Sequence, residues 1–396
     1  MDLNLSRLNF DKNTGDNRSE AFRKLDLNTA DIQAALSSIG NAATRNVGNT
    51  QGTVAAGDDP RFGHGFRNRV INGAFDIWQR GTAGFVAGYS ADRWRGDSSG
   101  TTMTMSRQAF AAGDAGQPNG HGLYFMRVTV NSVAGANNYA ILRQFIENLS
   151  LFSGKTVTLS LWVRAPAAGA KLSADLQLFN TSGNLSAGAM PAAQLITATN
   201  AGWTKYTLTY VMPDFAGLGI SDGSALILRF AFDAGASVGL PVGQQSLAYM
   251  DLYEIQLEPG VVATSFEKRP YGLELQLCQR FFEKSFDADI APAGQTAMYS
   301  ISGVGYSGTA VQGPINYKVP KRANASVILY SSNANTSVGQ SAWCIYNSQG
   351  VWSGAGSMSI FGNTKNGFTY NLNYSGGIAF GTAYVVSGHW VADAEF

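Results

Sequence analysis

Between Leu123 and Leu257 apolar side chains recur at every second position, segment after segment, and few folds accept such a pattern. The period appears in Leu123 and Phe125 with Tyr124, Met126, Val128 and Val130 interleaved, then in Val157, Leu159, Leu161 and Val163, and again in Leu172, Ala174, Leu176 and Leu178. It continues in Tyr206, Leu208, Tyr210 and Met212, in Leu226, Leu228, Phe230 and Phe232, and in Tyr249, Asp251, Tyr253, Ile255 and Leu257. A two-residue period places alternate side chains on one face of a strand, so each segment predicts a strand with one face buried. Turn clusters separate them: Ala-Gly-Asp-Ala-Gly at 112–116, Thr-Ser-Gly-Asn at 181–184 and Ser-Asp-Gly at 221–223. Residues 67–270 therefore read as an antiparallel two-sheet sandwich. Glycine, at 46 of 396 residues, suits a chain that turns this often.

Residues 273–282, LELQLCQRFF, space Leu273, Leu277 and Phe281 four apart and predict one short helix before a strand near Phe282. Strand-like pieces follow at Ser326–Tyr330, Ala342–Tyr346 and Ala383–Val386, so residues 271–396 predict a second, smaller β-sandwich. Over 323–392 the only charged side chain is Lys365. The fold class expected is mainly β.

The N-terminal region differs. Phe22, Leu25, Thr29, Ile32, Leu36 and Ile39 follow a 3-4-3-4-3 spacing, the a/d frame of a coiled coil with one polar a position. Asn17 with Glu20 resembles a capping box, and Gly40 falls where a left-handed C-terminal cap is expected. Two readings follow: self-association through Phe22, Leu25, Ile32, Leu36 and Ile39, or a lone amphipathic helix docked on its own chain. Residues 41–66 carry no sustained period and read as a linker or collar.

Composition excludes several function classes. A net charge of +1, from 28 Lys+Arg against 27 Asp+Glu, offers no field for nucleic acid or an acidic membrane surface. Two cysteines, Cys278 and Cys344, cannot build a disulfide framework, so folding in a reducing cytosol is expected. The N-terminus lacks the pattern of a secretion signal, and no run approaches the ~18 apolar residues of a membrane span.

Five phrases go beyond pattern: NRVINGAFDIWQRG at 68–81, YSADRW at 89–94, VTLSLWVRAP at 157–166, YMDLYEIQLEPGVVATSFEKRPYGLELQLCQRFFEKS at 249–285, and the terminal ADAEF. Together they resemble phage tail-fibre proteins. In that family the motif with Asn72, Gly73, Phe75, Trp78, Gln79 and Arg80 opens a jelly-roll like those of carbohydrate-binding modules. The segment with Gln256, Leu257, Glu258, Gly260, Thr264 and Phe266 closes it, and Glu274, Leu275, Cys278, Gln279 and Arg280 lead into a distal domain. NAATRNVGNTQGTVAAGDDPR resembles the segment by which short tail or side fibres begin their shaft, although the chain lacks the extended repeat shaft of long fibres. The resemblance implies a homotrimeric, non-enzymatic virion component, synthesised in the host cytoplasm. Its residues 1–40 would attach it to other phage tail or baseplate proteins, and its distal domain would bind host cell-surface polysaccharide. The alternatives are a structural spacer or head-attached decoration fibre, and a glycan-modifying esterase or depolymerase.

Candidate sites follow. Gly96-Asp97-Ser98-Ser99-Gly100 matches the Gly-x-Ser-x-Gly nucleophile elbow, but an elbow needs a strand before the serine and a helix after it, and Thr101–Met105 reads as strand. His64, His121 and His389 each lie beside glycine with no orienting carboxylate nearby in sequence. The acidic pairs Asp58-Asp59 and Asp287 with Asp289 lie in turns, without the repeats that present carboxylates along a depolymerase groove. No zinc spacing is present. Jelly-rolls of the carbohydrate-binding kind often hold a structural calcium, and the resemblance makes Asp251 its candidate ligand. Glycan contact needs flat aromatic faces and short polar groups with few charges. Tyr346, Trp352 and Tyr374 are the expected contacts, with Trp343 and, in the jelly-roll, Trp203 beside them.

Overall fold

The computed structural model describes residues 18–38 and 66–396, other than 181–189, 200–201, 217, 219, 222, 295–298, 331–342, 347–349, 351 and 355–356. Asn17, Ile39, Gly40, the 41–65 segment with Asp58, Asp59 and His64, and the 181–184 turn lie outside the described residues. The chain divides into Met1–His64 and Gly65–Phe396. In the first, α1 spans Arg18–Ser38, as the heptad predicted, with an Arg23–Glu20 ion pair one turn apart. Phe22 is 65 % exposed and Ile32 is exposed as well. No helix among the described residues is long and apolar enough to cross a membrane.

The second unit begins with a sandwich. Its strands are β1 (Gly88–Tyr89), β2 (Arg95–Ser99), β3 (Thr102–Ala109), β4 (Tyr124–Asn131), β5 (Tyr139–Ile146), β6 (Thr156–Arg164), β7 (Lys171–Phe179), β8 (Gln194–Thr197), β9 (Thr204–Val211), β10 (Ala225–Ala234) and β11 (Leu247–Pro259). One antiparallel sheet runs β1-β2-β5-β10-β7-β8 and the facing sheet β3-β4-β11-β6-β9, so the chain passes repeatedly from one to the other in jelly-roll fashion. The alternating leucines, valines and phenylalanines meet between them.

Two strands depart from simple alternation for identifiable reasons. Strand β10, ALILRFAFDA, is buried at nine of its ten positions. Leu226, Leu228, Phe230 and Phe232 face the core, while Ala225 and Ile227 are covered from the other side with Phe145 and Phe396. In β11 the expected single face of Tyr249 through Leu257 is broken. Glu254 adopts a left-handed conformation (φ 49°) and the ladder slips between Tyr253 and Gln256. This bulge changes the phase, so Met250, Leu252, Ile255 and Leu257 reach the core.

The helix α2 (Tyr271–Gln279) then leads into a second module, with β12 (Phe282–Lys284), β13 (Ser300–Ser307), β14 (Ala310–Asn316), β15 (Ser326–Tyr330), β16 (Cys344–Tyr346), β17 (Trp352–Gly354), β18 (Ser357–Thr364), β19 (Gly367–Asn373), β20 (Ala383–Ser387) and β21 (His389–Asp393). A three-stranded sheet, β12-β21-β15, packs over a seven-stranded one, β17-β16-β20-β13-β14-β19-β18. Their shared core holds Val311, Trp343, Phe368, Tyr370, Leu372 and Trp390.

Four of the five family-like phrases meet at the seam between the modules, and the fifth, residues 157–166, is strand β6 of the first sandwich. The Asn72 side-chain amide donates to the carbonyls of Ile77 (2.8 Å) and Asp92 (3.0 Å), and Trp94 Nε1 donates to the Asn72 carbonyl (3.0 Å). A side chain at Gly73 would run into the carbonyl of Ile255, whose N–H donates to the Gly73 oxygen (2.9 Å). Gln79 reaches across to the Phe282 carbonyl on β12 (3.0 Å), and Arg280 forks onto Glu147 (2.8 and 3.1 Å). The terminal ADAEF closes the seam like a latch. Ala394 N–H donates to Phe281 (2.7 Å), Asp393 pairs with Arg80 (3.1 Å), and Glu395 pairs with the buried Arg93. The Phe396 ring stacks on Phe145 with centroids 5.0 Å apart.

Candidate glycan-contacting surface

None of the seven strands β13, β14 and β16–β20 contains a charged residue. One face of their sheet covers the second core, and its packing inverts the usual alternation. On β13 the inward positions are Gly303 and Gly305, which leave room for the Tyr370 hydroxyl, Val311 and Ile378. Tyr370 crosses this gap to donate to the Ser302 carbonyl (3.1 Å). The bulky neighbours are thereby turned outward: Val304 is exposed, and Tyr306 is 62 % exposed. In cross-strand register, Ala383, Val304, Gln312, Asn371 and Ser359 form one outward row across five strands. Phe361 and Val385 are exposed on the same sheet. An exposed apolar and amide-bearing field without charge is the surface expected to meet another molecule.

At one edge of this sheet Tyr346 on β16 lies directly opposite Trp352 on β17. Their ring centroids are 5.4 Å apart and the planes are tilted by 60°. Tyr346 is 44 % and Trp352 36 % exposed, so both keep open faces. A tilted pair of this kind can hold the C–H face of a pyranose.

The other sequence candidates fall elsewhere. Trp343 is fully buried. Its ring lies 5.4 Å from Tyr370, Nε1 donates to the His389 carbonyl (3.3 Å), and the Gly388 backbone presses on its face. Trp203, expected to be exposed, is enclosed because residues 110–121 fold over the five-stranded sheet. It packs on Phe110 and Phe125, with the Arg164 guanidinium 5.1 Å above its ring. Both expectations are corrected: these indoles serve cores. Tyr374 is half-buried against the second core, held by its N–H to the Thr309 carbonyl (2.8 Å).

Asp251 is also corrected as a calcium ligand. It is completely buried on β11, and its two oxygens accept from Arg127 (2.7 and 2.9 Å) and from Arg164 Nε (2.8 Å). Two guanidinium groups satisfy the carboxylate and repel a cation. Among the described residues no group of three or more His, Cys, Asp or Glu is placed to hold a metal. Ser98 stands within β2, opposite Ala140, and β3 follows it, so the elbow geometry is absent. His389 is buried and stacked on Phe286 at 4.3 Å, and His121 stacks on Phe110 at 4.2 Å.

A small polar cavity of about 180 Å³ lies beside the seam, lined in part by Asp76, Tyr253, Lys268 and Glu274. Burial, reinforced by Glu274, raises the Asp76 carboxyl above its ordinary range. Periodicity gave no hint of it, because its walls come from the two ends of the sandwich. The outward Val304 and Tyr306 were missed for another reason. A glycine at every second position was the available signal that the bulky side chains face out.

No family model matches the chain, and no curated protein does. Solved structures do overlap it at low identity. The enzymatically active domain of tailspike protein 4 from bacteriophage CBA120 is 14 % identical, covering 49 % of this chain and 22 % of its own, with a TM-score of 0.32. A xylan-binding domain from Paenibacillus barcinonensis is 15 % identical over 46 % of this chain and 94 % of its own, with a TM-score of 0.26. A cyclase from Fischerella sp. is 12 % identical over 49 % and 96 %, with a TM-score of 0.33.

Proposed function

We propose that this protein is a non-enzymatic phage fibre component that attaches the virion to a neutral or weakly charged host-surface polysaccharide. The observation that carries the reading is the open Tyr346–Trp352 pair at the edge of a seven-stranded sheet without charged side chains. Such a surface stacks on sugar rings and donates and accepts through Gln312, Asn371 and hydroxyls, with no charge to desolvate. The tail-fibre phrases supply the virion setting. The exposed Phe22 and Ile32 on α1 support assembly of several copies, and the family resemblance supports three. The N-terminal segment would then dock on tail or baseplate proteins.

The test uses the full chain on a glycan array and on host cells. Tyr346→Ala with Trp352→Ala should lose binding at least tenfold while the melting temperature stays within a few degrees of the parent. Equal binding by parent and double variant would overturn the assignment of this surface. A spacer or head-decoration role is the second reading, favoured by four of the five family phrases meeting at the seam rather than on an exposed surface. Virions lacking the protein that adsorb normally would establish it.

A further inference from the structure

Where the two modules meet, the surface opens into a groove of about 950 Å³, against about 180–230 Å³ for the other cavities described. That is room for an oligosaccharide, at the upper end of the ~300–1,000 Å³ typical of ligand sites. Its walls come from the turn after β5, the β9–β10 connection, the end of α2, the β14–β15 connection and the β18–β19 turn.

Three cations and two carboxylates line it, and their pairing is uneven. Arg280 is matched by Glu147. Arg322 places Nε and a terminal nitrogen on the carbonyls of Ala394 (3.0 Å) and Glu395 (2.9 Å), stacks its guanidinium over the Phe396 ring (3.8 Å), and makes no ion pair among the described residues. Lys365, at the tip of the β18–β19 turn, is exposed and has no ion pair or side-chain hydrogen bond among the described residues. It is also the one charged side chain in 323–392, and it lies on this groove rather than on the uncharged sheet. Asp214 is tied to Ser153 (2.9 Å) and to the Ala216 N–H (3.0 Å), and Ser150 and Ser224 add hydroxyls.

We propose that this groove binds an acidic oligosaccharide, a sugar carboxylate docking at Lys365 and Arg322 while hydroxyls meet Asp214, Ser150 and Ser224. Glu147 and Asp214 disfavour a densely charged polyanion such as nucleic acid, whereas one carboxylate per ring leaves hydroxyls to donate to Asp214. The exposed, apolar Ile220 on the same walls offers contact to a ring C–H face. The site is separate from the Tyr346–Trp352 pair and stands without it.

Calorimetric titration of the full chain with tetragalacturonate, an alginate tetramer and a tetramer of α2,8-linked sialic acid tests the proposal, with methyl-esterified tetragalacturonate as the neutral control. At least one acidic probe should bind ten times tighter than the ester and weaken as salt rises. Lys365→Glu should cost at least tenfold and Lys365→Arg less than threefold, each with an unchanged melting temperature. Trp352→Ala should leave this binding intact, so failure here is distinct from failure of the aromatic surface. Equal affinity for ester and acid, no effect of Lys365→Glu, competition by sulfate at matched ionic strength, or no binding of any acidic probe would each overturn it.

Discussion

Replacing Glu395 by alanine should unfasten the two modules. The Glu395 side chain is 3 % exposed and sits against Arg93, 1 % exposed, with Arg80 3.6 Å away. After the substitution Arg80 keeps Asp393 at 3.1 Å. Among the described residues Arg93 has no second carboxylate and retains the Phe145 carbonyl and the face of Phe281, 3.3 Å from its guanidinium carbon. Removing one partner of a buried pair leaves an uncompensated charge and costs about 3–5 kcal/mol. The residual acceptor and ring place the expectation near the lower end, about 3 kcal/mol. Urea unfolding followed by circular dichroism reads the loss, and hydrogen exchange should rise first in residues 389–396 and 282–284, which the latch holds. The double variant Arg93→Met with Glu395→Leu removes both charges at similar volume and should recover most of the stability. A Glu395→Ala protein within about 1 kcal/mol of the parent, or a double variant no better than the single one, would refute the reasoning.

Three further outcomes follow from the packing. Gly303→Ala drives a methyl group toward the Tyr370 hydroxyl and Val311 and should cost about 1–3 kcal/mol by thermal unfolding, whereas Val304→Ala next to it should change stability by less than about 0.5 kcal/mol. Burial lowers the Lys284 ammonium from 10.5 to about 8, so the folded protein releases this proton near pH 8 and the unfolded chain holds it to about 10.5. The unfolded state then binds more protons in between, so stability should rise with pH from 8 to 10, by at most about 1.4 kcal/mol per pH unit, and Lys284→Met should flatten the slope in pH-resolved urea melts. Ile32→Asp with Leu36→Asp should dissociate copies of the chain in sedimentation velocity, and an unchanged oligomer would locate assembly in the β modules.

Local pattern was informative where one side of a strand met one core. Leu159 and Leu161, or Leu226 and Leu228, point inward as their spacing indicated. It misled where a second influence entered. In β11 the bulge at Glu254 shifts the phase midway, and it forms where Gly73, about 180 residues earlier, inserts its backbone. In β13 small residues face the core because Tyr370, on another strand, fills the space. Trp203 has a neighbour in sequence, Gly202, that looks like a turn, and Trp343 sits among uncharged polar residues, yet distant segments cover both. Asp251 was the candidate calcium ligand, and spacing could not show that Arg127 and Arg164 reach it from the adjoining strands. Each error concerned a partner remote in sequence, and periodicity carries no record of those.

The latch also orders events in time. Strand β21 occupies the middle of its three-stranded sheet, between β12 and β15, and the residues after it cover Phe145 and neutralise Arg93 on the first module. Every other element of the unit precedes it, so during synthesis both modules wait, with an unfilled sheet and a bare buried arginine, until residues 389–396 emerge. A chain interrupted before that point has no finished second module to display. Residues 389–396 thus couple completion of the second module to neutralisation of Arg93 on the first.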